Sequence, residues 1–169
     1  RLIHWKTTAR MNQPYVRLFD GAPASNLWIL LDLQDEVQVG NEEHGTEEQG
    51  IILTASLVDR GLREHHRVGL VINGHALTRL PPQTGAGQRW EILRALAIAS
   101  QGTTPLGEVL ERIRPNLGHN ASLMVITPTT KIDWLGTIPL LRRRGITPTI
   151  LLLDPLTFGG QLNNNGLIA

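Results

Sequence analysis

Cysteine is absent from the 169 residues, which excludes a disulfide framework, thiol catalysis and cysteine-ligated zinc. An excess of one charge is also absent, because 16 Lys and Arg residues balance 15 Asp and Glu residues to a formal net charge of +1. This balance argues against a nucleic-acid surface or a polybasic membrane patch. No apolar run approaches the roughly 20 residues of a membrane helix, since Asp32 and Asp154 interrupt the best candidates.

Hydrophobic residues make up 41% of the chain and charged residues 18%, a composition that predicts a buried core. The length favours one globular domain with room for an arm. The chain opens with Arg1 instead of Met and shows no charged-then-apolar signal pattern. We therefore expect a soluble piece of a longer protein.

Short apolar runs alternate with helical periods, which is typical of an α/β domain with a largely parallel sheet. The apolar runs predict strands at residues 27–33, 68–72, 123–126 and 149–153. The periodic segments predict helices at residues 47–65, 89–100, 106–117 and 137–144. Within residues 89–100, the spacing predicts that Trp90, Leu93 and Ala97 share one side of the helix.

An antiparallel edge strand is predicted after the second apolar run. Asn73-Gly74 indicates a turn into this strand, which we place at residues 75–80. Pro81 and Pro82 should end the strand, because proline has no backbone N–H to donate.

Signals for nucleotide binding and catalysis are weak. The segment 84–90 contains two glycines but lacks the third glycine and the Lys-Ser/Thr pair of phosphate-binding loops, so we expect a flexible connector. No serine lies in a Gly-x-Ser-x-Gly nucleophile elbow. The proximity of Asp32 and Asp35 is a weak indication of an acid/base pair. We predict that the protein is not an enzyme.

Several motifs occur in an order that resembles a known bacterial family. Residues 3–10 read IHWKTTAR and are followed by Tyr15-Val16-Arg17, which is similar to the IHWKxTAR…VRxFE stretch of the domain-of-unknown-function 58 family. Shorter matches follow in order: LLD at 30–32, LPP at 80–82, ITP at 126–128 with Trp134 downstream, RGI at 144–146 and FGG at 158–160. The resemblance covers nearly the whole chain.

The resemblance implies a three-layer α/β sandwich similar to the von Willebrand factor type A domain. With the edge strand above, we expect a mostly parallel central sheet with one antiparallel edge strand. Residues 1–22 would form an N-terminal arm packed on the sheet edge, and residues 23–169 the α/β domain. Family members normally continue through another helix and strand, so we expect the domain to be incomplete at its C-terminus.

The resemblance also implies a partner class but no reaction. Family members frequently pair with MoxR-type AAA+ ATPases, and their parent proteins usually carry membrane helices upstream of this region. We therefore expect a cytoplasmic soluble domain of a parent that is anchored in a membrane, with no nucleic acid among its partners.

The implied topology brings two polar residues together. In an open α/β sheet, ligands bind beyond the carboxyl ends of the strands where the strand order reverses. In a type A topology this point lies between the strands at residues 27–33 and 123–126. We therefore expect Asp32 and Thr127 to face the same crevice.

A magnesium-dependent adhesion site would supply hard oxygen ligands from an Asp-x-Ser-x-Ser loop, a distant Thr and a second Asp. The equivalent positions here hold Gln34, Glu36, Thr103 or Thr104, and Pro128. We expect a degenerate site without a cofactor, in which Asp32 caps local backbone amides. Mg²⁺ held by Asp32, Glu36 and Thr104 is the alternative.

Three functions are compatible with these residues. The first is a non-enzymatic protein-interaction module acting with an AAA+ ATPase, whose partner-binding crevice consists of Asp32, Gln34, Glu36, Thr103, Thr104 and Thr127. The second is a divalent-metal-dependent binding protein or hydrolase that uses Asp32, Asp35 and Glu36. The third is an architectural domain whose arm mediates self-association.

The arm at residues 1–22 has two interpretations of its own. It contains apolar residues that would cover the sheet edge and shield it from pairing. Alternatively, Trp5 and Arg10 belong to a docking surface for another protein, since Trp and Arg are enriched at binding hot spots.

Overall fold

The computed structural model describes residues 26–40 and 44–160. The predicted arm at residues 1–22, with its candidate docking residues Trp5 and Arg10, lies outside these ranges. Every helix within them is too short or too polar to span a lipid bilayer.

The described chain forms one five-stranded sheet with helices on both faces. Its strands are β1 (Asn26–Asp32), β2 (Arg67–Asn73), β3 (Leu77–Gln83), β4 (Ser122–Thr127) and β5 (Thr147–Leu152). Its α-helices are α1 (Thr46–Arg63), α2 (Gly85–Ala97), α3 (Leu106–Ile113) and α4 (Ile138–Arg142). Short 3-10 turns cover Asp35–Val37, Arg114–Asn116, Asp133–Thr137 and Pro155–Phe158.

The strand order is β3-β2-β1-β4-β5, and only β3 runs antiparallel to its neighbour. The predicted fold class is therefore confirmed. Strand β1 lies in the middle, paired with β2 on one side and β4 on the other. A central parallel strand is covered on both faces, which explains why its sequence is nearly continuous in apolar residues.

Alternate residues of β1 enter two separate cores. Trp28 and Leu30 pack with residues of α3 and α4 on one face. Ile29 and Leu31 pack with residues of α1 and α2 on the other. The sheet and the helices on each of its faces make the three layers of the sandwich, with one core between each pair of layers.

Edge strand β3 differs from its prediction, because it continues through Pro81 and Pro82 to Gln83. An edge strand tolerates proline where the missing N–H would not have been paired within the sheet. A register shift between Val68 and Leu70 accommodates the two rings. Gly69 leaves space for them, since a Cβ there would lie 2.9 Å from Pro82 Cγ.

Helix α2 corrects the prediction for residues 84–90 and shows that the side shared by Trp90, Leu93 and Ala97 is not the buried one. It begins at Gly85, so the segment 84–90 is mostly helical and not a flexible connector. Its buried residues are Gln88, Ile92 and Leu96, whereas Trp90 is 70% exposed and Ala97 is also exposed. The amide of Gln88 explains why its side of the helix faces the sheet. Its Nε2 donates to Val68 O at 2.7 Å and to Pro81 O at 2.9 Å.

The remaining predicted helices are confirmed with shifted ends. The helix predicted at residues 106–117 is α3 followed by a 3-10 turn, and the apolar residues of α3 are buried. Helix α4 begins after Thr137, with Pro139 in its first turn. Gly145 follows this helix with a φ of 73°, a left-handed conformation suited to glycine at a helix end.

Candidate functional site

Three adjacent strands end in polar side chains at the same edge of the sheet. Asp32 ends β1, Asn73 ends β2 and Thr127 ends β4, and all three residues are buried. Asp32 and Asn73 are register partners across the parallel pair. The edge lies where the strand order reverses, which is the usual ligand position in open α/β sheets.

The carboxyl group of Asp32 lies at the centre of this cluster and is only 1% exposed. Thr127 Oγ1 donates to Asp32 Oδ2 at 2.7 Å. The two residues expected to share a crevice are therefore adjacent, but both are buried beneath the surface. Asn73 Nδ2 and the backbone N–H of Gln34 donate to Asp32 Oδ1 at 2.8 and 3.2 Å. Three internal donors therefore occupy both carboxyl oxygens.

The cluster joins the ends of the three strands to the neighbouring loops, including the loop between α2 and α3. Asn73 Nδ2 also donates to the carbonyl oxygen of Thr104 at 2.9 Å. Thr127 Oγ1 accepts from the backbone N–H of Thr129 at 3.0 Å. Only glycine fits at position 102 beside this cluster, because a Cβ there would lie 2.1 Å from Gly74 O. The hydrogen bonds and this close backbone approach hold the loops together.

Burial raises the pKa of Asp32 above its ordinary value of 3.8. The hydrogen bonds from Thr127, Asn73 and Gln34 act in the opposite direction, because they favour the ionised form. Desolvation has the larger effect. The carboxyl group is therefore more easily protonated in the folded protein than in an exposed chain.

The other residues of the expected crevice lie at different depths. Gln34 is buried and its Nε2 donates to Glu36 Oε2 at 3.4 Å. Glu36 is exposed and pairs with Lys131 Nζ at 3.3 Å. Thr103 is exposed, whereas Thr104 contributes its carbonyl oxygen to the cluster.

The groups around Asp32 do not suit a magnesium ion. Mg²⁺ requires oxygen acceptors in near-octahedral geometry, but Asn73 Nδ2, Gln34 N and Thr127 Oγ1 all present hydrogens to the carboxylate. Across residues 26–40 and 44–160, no three His, Asp or Glu side chains cluster in a way that could hold an ion. That the protein uses no metal remains a prediction.

Asn73 was not among the residues proposed from sequence, where it served only as a turn signal. The available indication was its position, because a polar residue directly after the apolar run of β2 resembles Asp32 after β1. Topology makes the two residues neighbours, since parallel strands in register end side by side.

A groove of about 320 Å³ opens beside the cluster, between the start of α3 and the segment after β4. Its lining includes Gln34, Glu36, Glu111, Lys131, Asp133 and Trp134. A second cavity of about 420 Å³ lies at the start of α1, where Gln38, Glu47 and Gln101 contribute to its walls. The first groove contains two residues of the expected crevice.

Two solved structures with a similar fold come from Bacteroides species. One is a conserved hypothetical protein, BatB, from Bacteroides thetaiotaomicron, with a TM-score of 0.55, 16% identity, and coverage of 86% of this chain and 78% of that chain. The other is an aerotolerance-related membrane protein from Bacteroides fragilis NCTC 9343 carrying multiple mutations to serines. It has the same TM-score and identity and covers 86% of this chain and 80% of that chain. At this identity the likeness concerns the fold alone.

Relatives by sequence come from mycobacteria and are described as uncharacterised. Proteins of Mycobacterium bovis and of two Mycobacterium tuberculosis strains are each 24% identical over 161 residues. The match covers 92% of this chain and 51% of each relative, so the chain spans about half the length of these proteins.

The family comparison covers almost the entire chain. The sequence profile described as "Protein of unknown function DUF58" matches residues 1–166, which includes the opening IHWKTTAR motif and the strands that carry Asp32 and Thr127. The chain therefore belongs to the DUF58 family, which is described as being of unknown function.

Proposed function

We propose that this chain is a non-enzymatic protein-interaction module that binds an AAA+ ATPase of the MoxR type. The binding surface consists of the loops at the carboxyl ends of β1 and β4. One observation carries the proposal: the carboxyl group of Asp32 is 1% exposed and engaged by three internal donors. A carboxyl group whose two oxygens are both engaged inside the protein organises loops and does not meet a substrate.

The contact between Thr127 and Asp32 resembles that of a nucleophile and its base, but a substrate could not reach the Thr127 hydroxyl. Thr127 is 0% exposed, and its hydroxyl is engaged by both Asp32 and the N–H of Thr129. A catalytic nucleophile must lie within reach of a reacting atom. The pair therefore supports a structural role.

The loops around the buried cluster are suited to presenting charges to a partner. Glu36 and Lys131 are anchored on loops that leave β1 and β4, and their side chains meet at 3.3 Å on the surface. Binding residues are often carried on loops that a rigid scaffold positions. The partner class itself comes from the family resemblance.

Charge reversal at the loops tests this surface. We expect Glu36→Lys and Lys131→Glu each to weaken binding of the purified chain to its cognate ATPase, measured by calorimetry, by about fivefold or more, because rim charges contribute through pairing and steering. Glu64→Lys is the matched control, since Glu64 is also exposed but precedes β2 at the opposite edge of the sheet.

Two results would contradict the proposal. Absence of binding by the unaltered chain would reject the partner class. Equal binding by both loop variants and the control would reject the loops as the docking face. Asp32→Ala should also abolish capture of the ATPase, and its circular dichroism spectrum establishes whether the fold is retained.

A further inference from the structure

Trp134 has an unusual environment in the groove beside the cluster. Its side chain lines the groove and is only 7% exposed. Among the buried side-chain nitrogen and oxygen atoms of the described residues, only Trp134 Nε1 and Gln88 Oε1 have no hydrogen-bond partner. The buried Trp28 shows the usual arrangement, since its Nε1 donates to Leu117 O at 3.1 Å.

The first turn of α3 also contributes to the lining of the groove. Pro105 occupies the position before this helix, and no side chain caps its first turn. The first N–H groups of a helix have no acceptor within the helix. Gly107 brings this turn close to the indole, because a Cβ there would lie 3.4 Å from Trp134 Cβ. The groove is therefore lined by Trp134, with its unpartnered indole N–H, and by a helix turn whose first two N–H groups have no acceptor among the described residues.

The charges of the groove favour a cationic ligand over an anionic one. Its lining contains four carboxylates and one amine: Glu36, Glu108, Glu111, Asp133 and Lys131. Lys131 pairs with Glu36, and Arg112 pairs with Glu108. No cation within residues 26–40 and 44–160 forms an ion pair with Glu111 or Asp133. A free anion is therefore disfavoured, although the donors need an acceptor.

A basic peptide satisfies both requirements, because its backbone carbonyls accept hydrogen bonds while its side chains carry positive charge. We infer that the groove binds an extended lysine- or arginine-containing segment of the partner protein. Trp134 Nε1 is enclosed in the free chain, so the indole turns towards the groove as one carbonyl of the segment accepts its hydrogen. An adjacent cationic side chain pairs with Glu111 and Asp133. The volume of about 320 Å³ limits this anchor to a short segment. The inference rests on the proposed function, whose binding surface it extends.

The indole N–H itself reports on this interaction. A capped peptide, acetyl-Ala-Ala-Lys-Lys-Ala-Ala-amide, is titrated into the ¹⁵N-labelled chain, and the Trp134 indole resonance is assigned with Trp134→Phe. We expect a saturable downfield shift of this resonance. A twin peptide with Glu in place of Lys should bind about tenfold more weakly or worse, since like charges oppose it.

Variants separate the two parts of the recognition. Trp134→Phe keeps an aromatic ring but removes the donor, and should weaken binding of the lysine peptide by about fivefold. The double variant Glu111→Lys with Asp133→Lys keeps the indole and alters two exposed residues, and should weaken binding by about tenfold. Glu64→Lys, at the opposite edge, should leave the affinity unchanged.

The inference is overturned if the indole resonance stays in place at saturating lysine peptide, or if the glutamate peptide binds equally well. Both measurements use the unaltered chain, so the inference can be rejected even if a variant fails to fold. If the ATPase binds but the lysine peptide does not, this inference falls and the proposed function stands. If the peptide binds but the ATPase does not, the groove chemistry stands and the proposed partner falls.

Discussion

Asp32 shows how one buried residue can organise a surface without being part of it. Its carboxyl group receives hydrogen bonds from Thr127, Asn73 and Gln34, which belong to three separate segments of the chain. Satisfied buried polar groups favour one arrangement of their surroundings, because any other arrangement leaves a donor or acceptor unpaired. The position of the loops therefore depends on this single side chain.

The raised pKa of Asp32 predicts a pH-dependent contribution to stability. Below pH 3.8 the carboxyl group is protonated in both states, and its contribution is fully present. As the pH rises through the higher pKa of the folded state, the unfolded chain ionises more readily and this contribution is lost. We therefore expect the unfolding free energy of the unaltered chain, relative to Asp32→Asn, to fall with increasing pH.

Urea unfolding of both proteins between acidic and neutral pH measures this difference. Asp35→Asn is the matched control, because it removes a nearby carboxylate that is exposed and outside the hydrogen-bonded cluster. Its stability relative to the unaltered chain should lack the Asp32-dependent slope. A difference between the unaltered chain and Asp32→Asn that is constant with pH would show that burial does not control the protonation of Asp32.

Divalent cations should not bind at this position. The groups around Asp32 present hydrogens to its oxygens, and a cation would have to displace them. We expect no saturable heat when the chain is titrated with Mg²⁺ or Mn²⁺ in a calorimeter. A saturable heat that disappears in Asp32→Asn would contradict this expectation and support the metal-dependent alternative.

At the scale of the elements, α2 and β3 depend on each other. Strand β3 contains two prolines, which cannot donate to the sheet, and Gln88 on α2 donates to the carbonyl oxygens of Val68 and Pro81 instead. The same bonds determine which side of α2 faces the core. The side chain of Gln88 thus connects the pairing of an edge strand with the orientation of a helix.

Gln88→Leu tests this connection. The substitution keeps the size of the side chain but leaves two carbonyl oxygens without their donor, while it also removes the unpaired Oε1 atom. We expect a loss of about 1–3 kcal/mol in the unfolding free energy, measured by urea denaturation. Gln83→Leu, the same change at an exposed position of β3, should cost much less. Equal stability of the two variants would contradict a structural role for Gln88.

At the scale of the whole molecule, the central strands could be located from the sequence. Strands β1, β2 and β4 begin and end within one residue of their predicted positions, because strands buried on both faces carry continuous apolar runs. Edge strand β3 could not be placed as well. It is half exposed, so its pairing and its bulge depend on the neighbouring strand and helix.

The candidate site was predictable only in part. The meeting of Asp32 and Thr127 followed from a topology in which parallel strands end side by side. In the sequence Trp134 is only part of a family motif, and neither its unpaired indole N–H nor the groove is visible there. Such features arise from contacts between segments that are distant along the chain.

The sequence by itself determined the α/β class, the central strands and the polar residues that end them, because burial selects residue types locally. The tertiary structure decided which face of α2 is buried, which donors surround Asp32 and which carboxylates share the groove with Trp134. Those outcomes depend on hydrogen bonds and packing between distant segments, and several local arrangements are compatible with the same pattern until the segments meet.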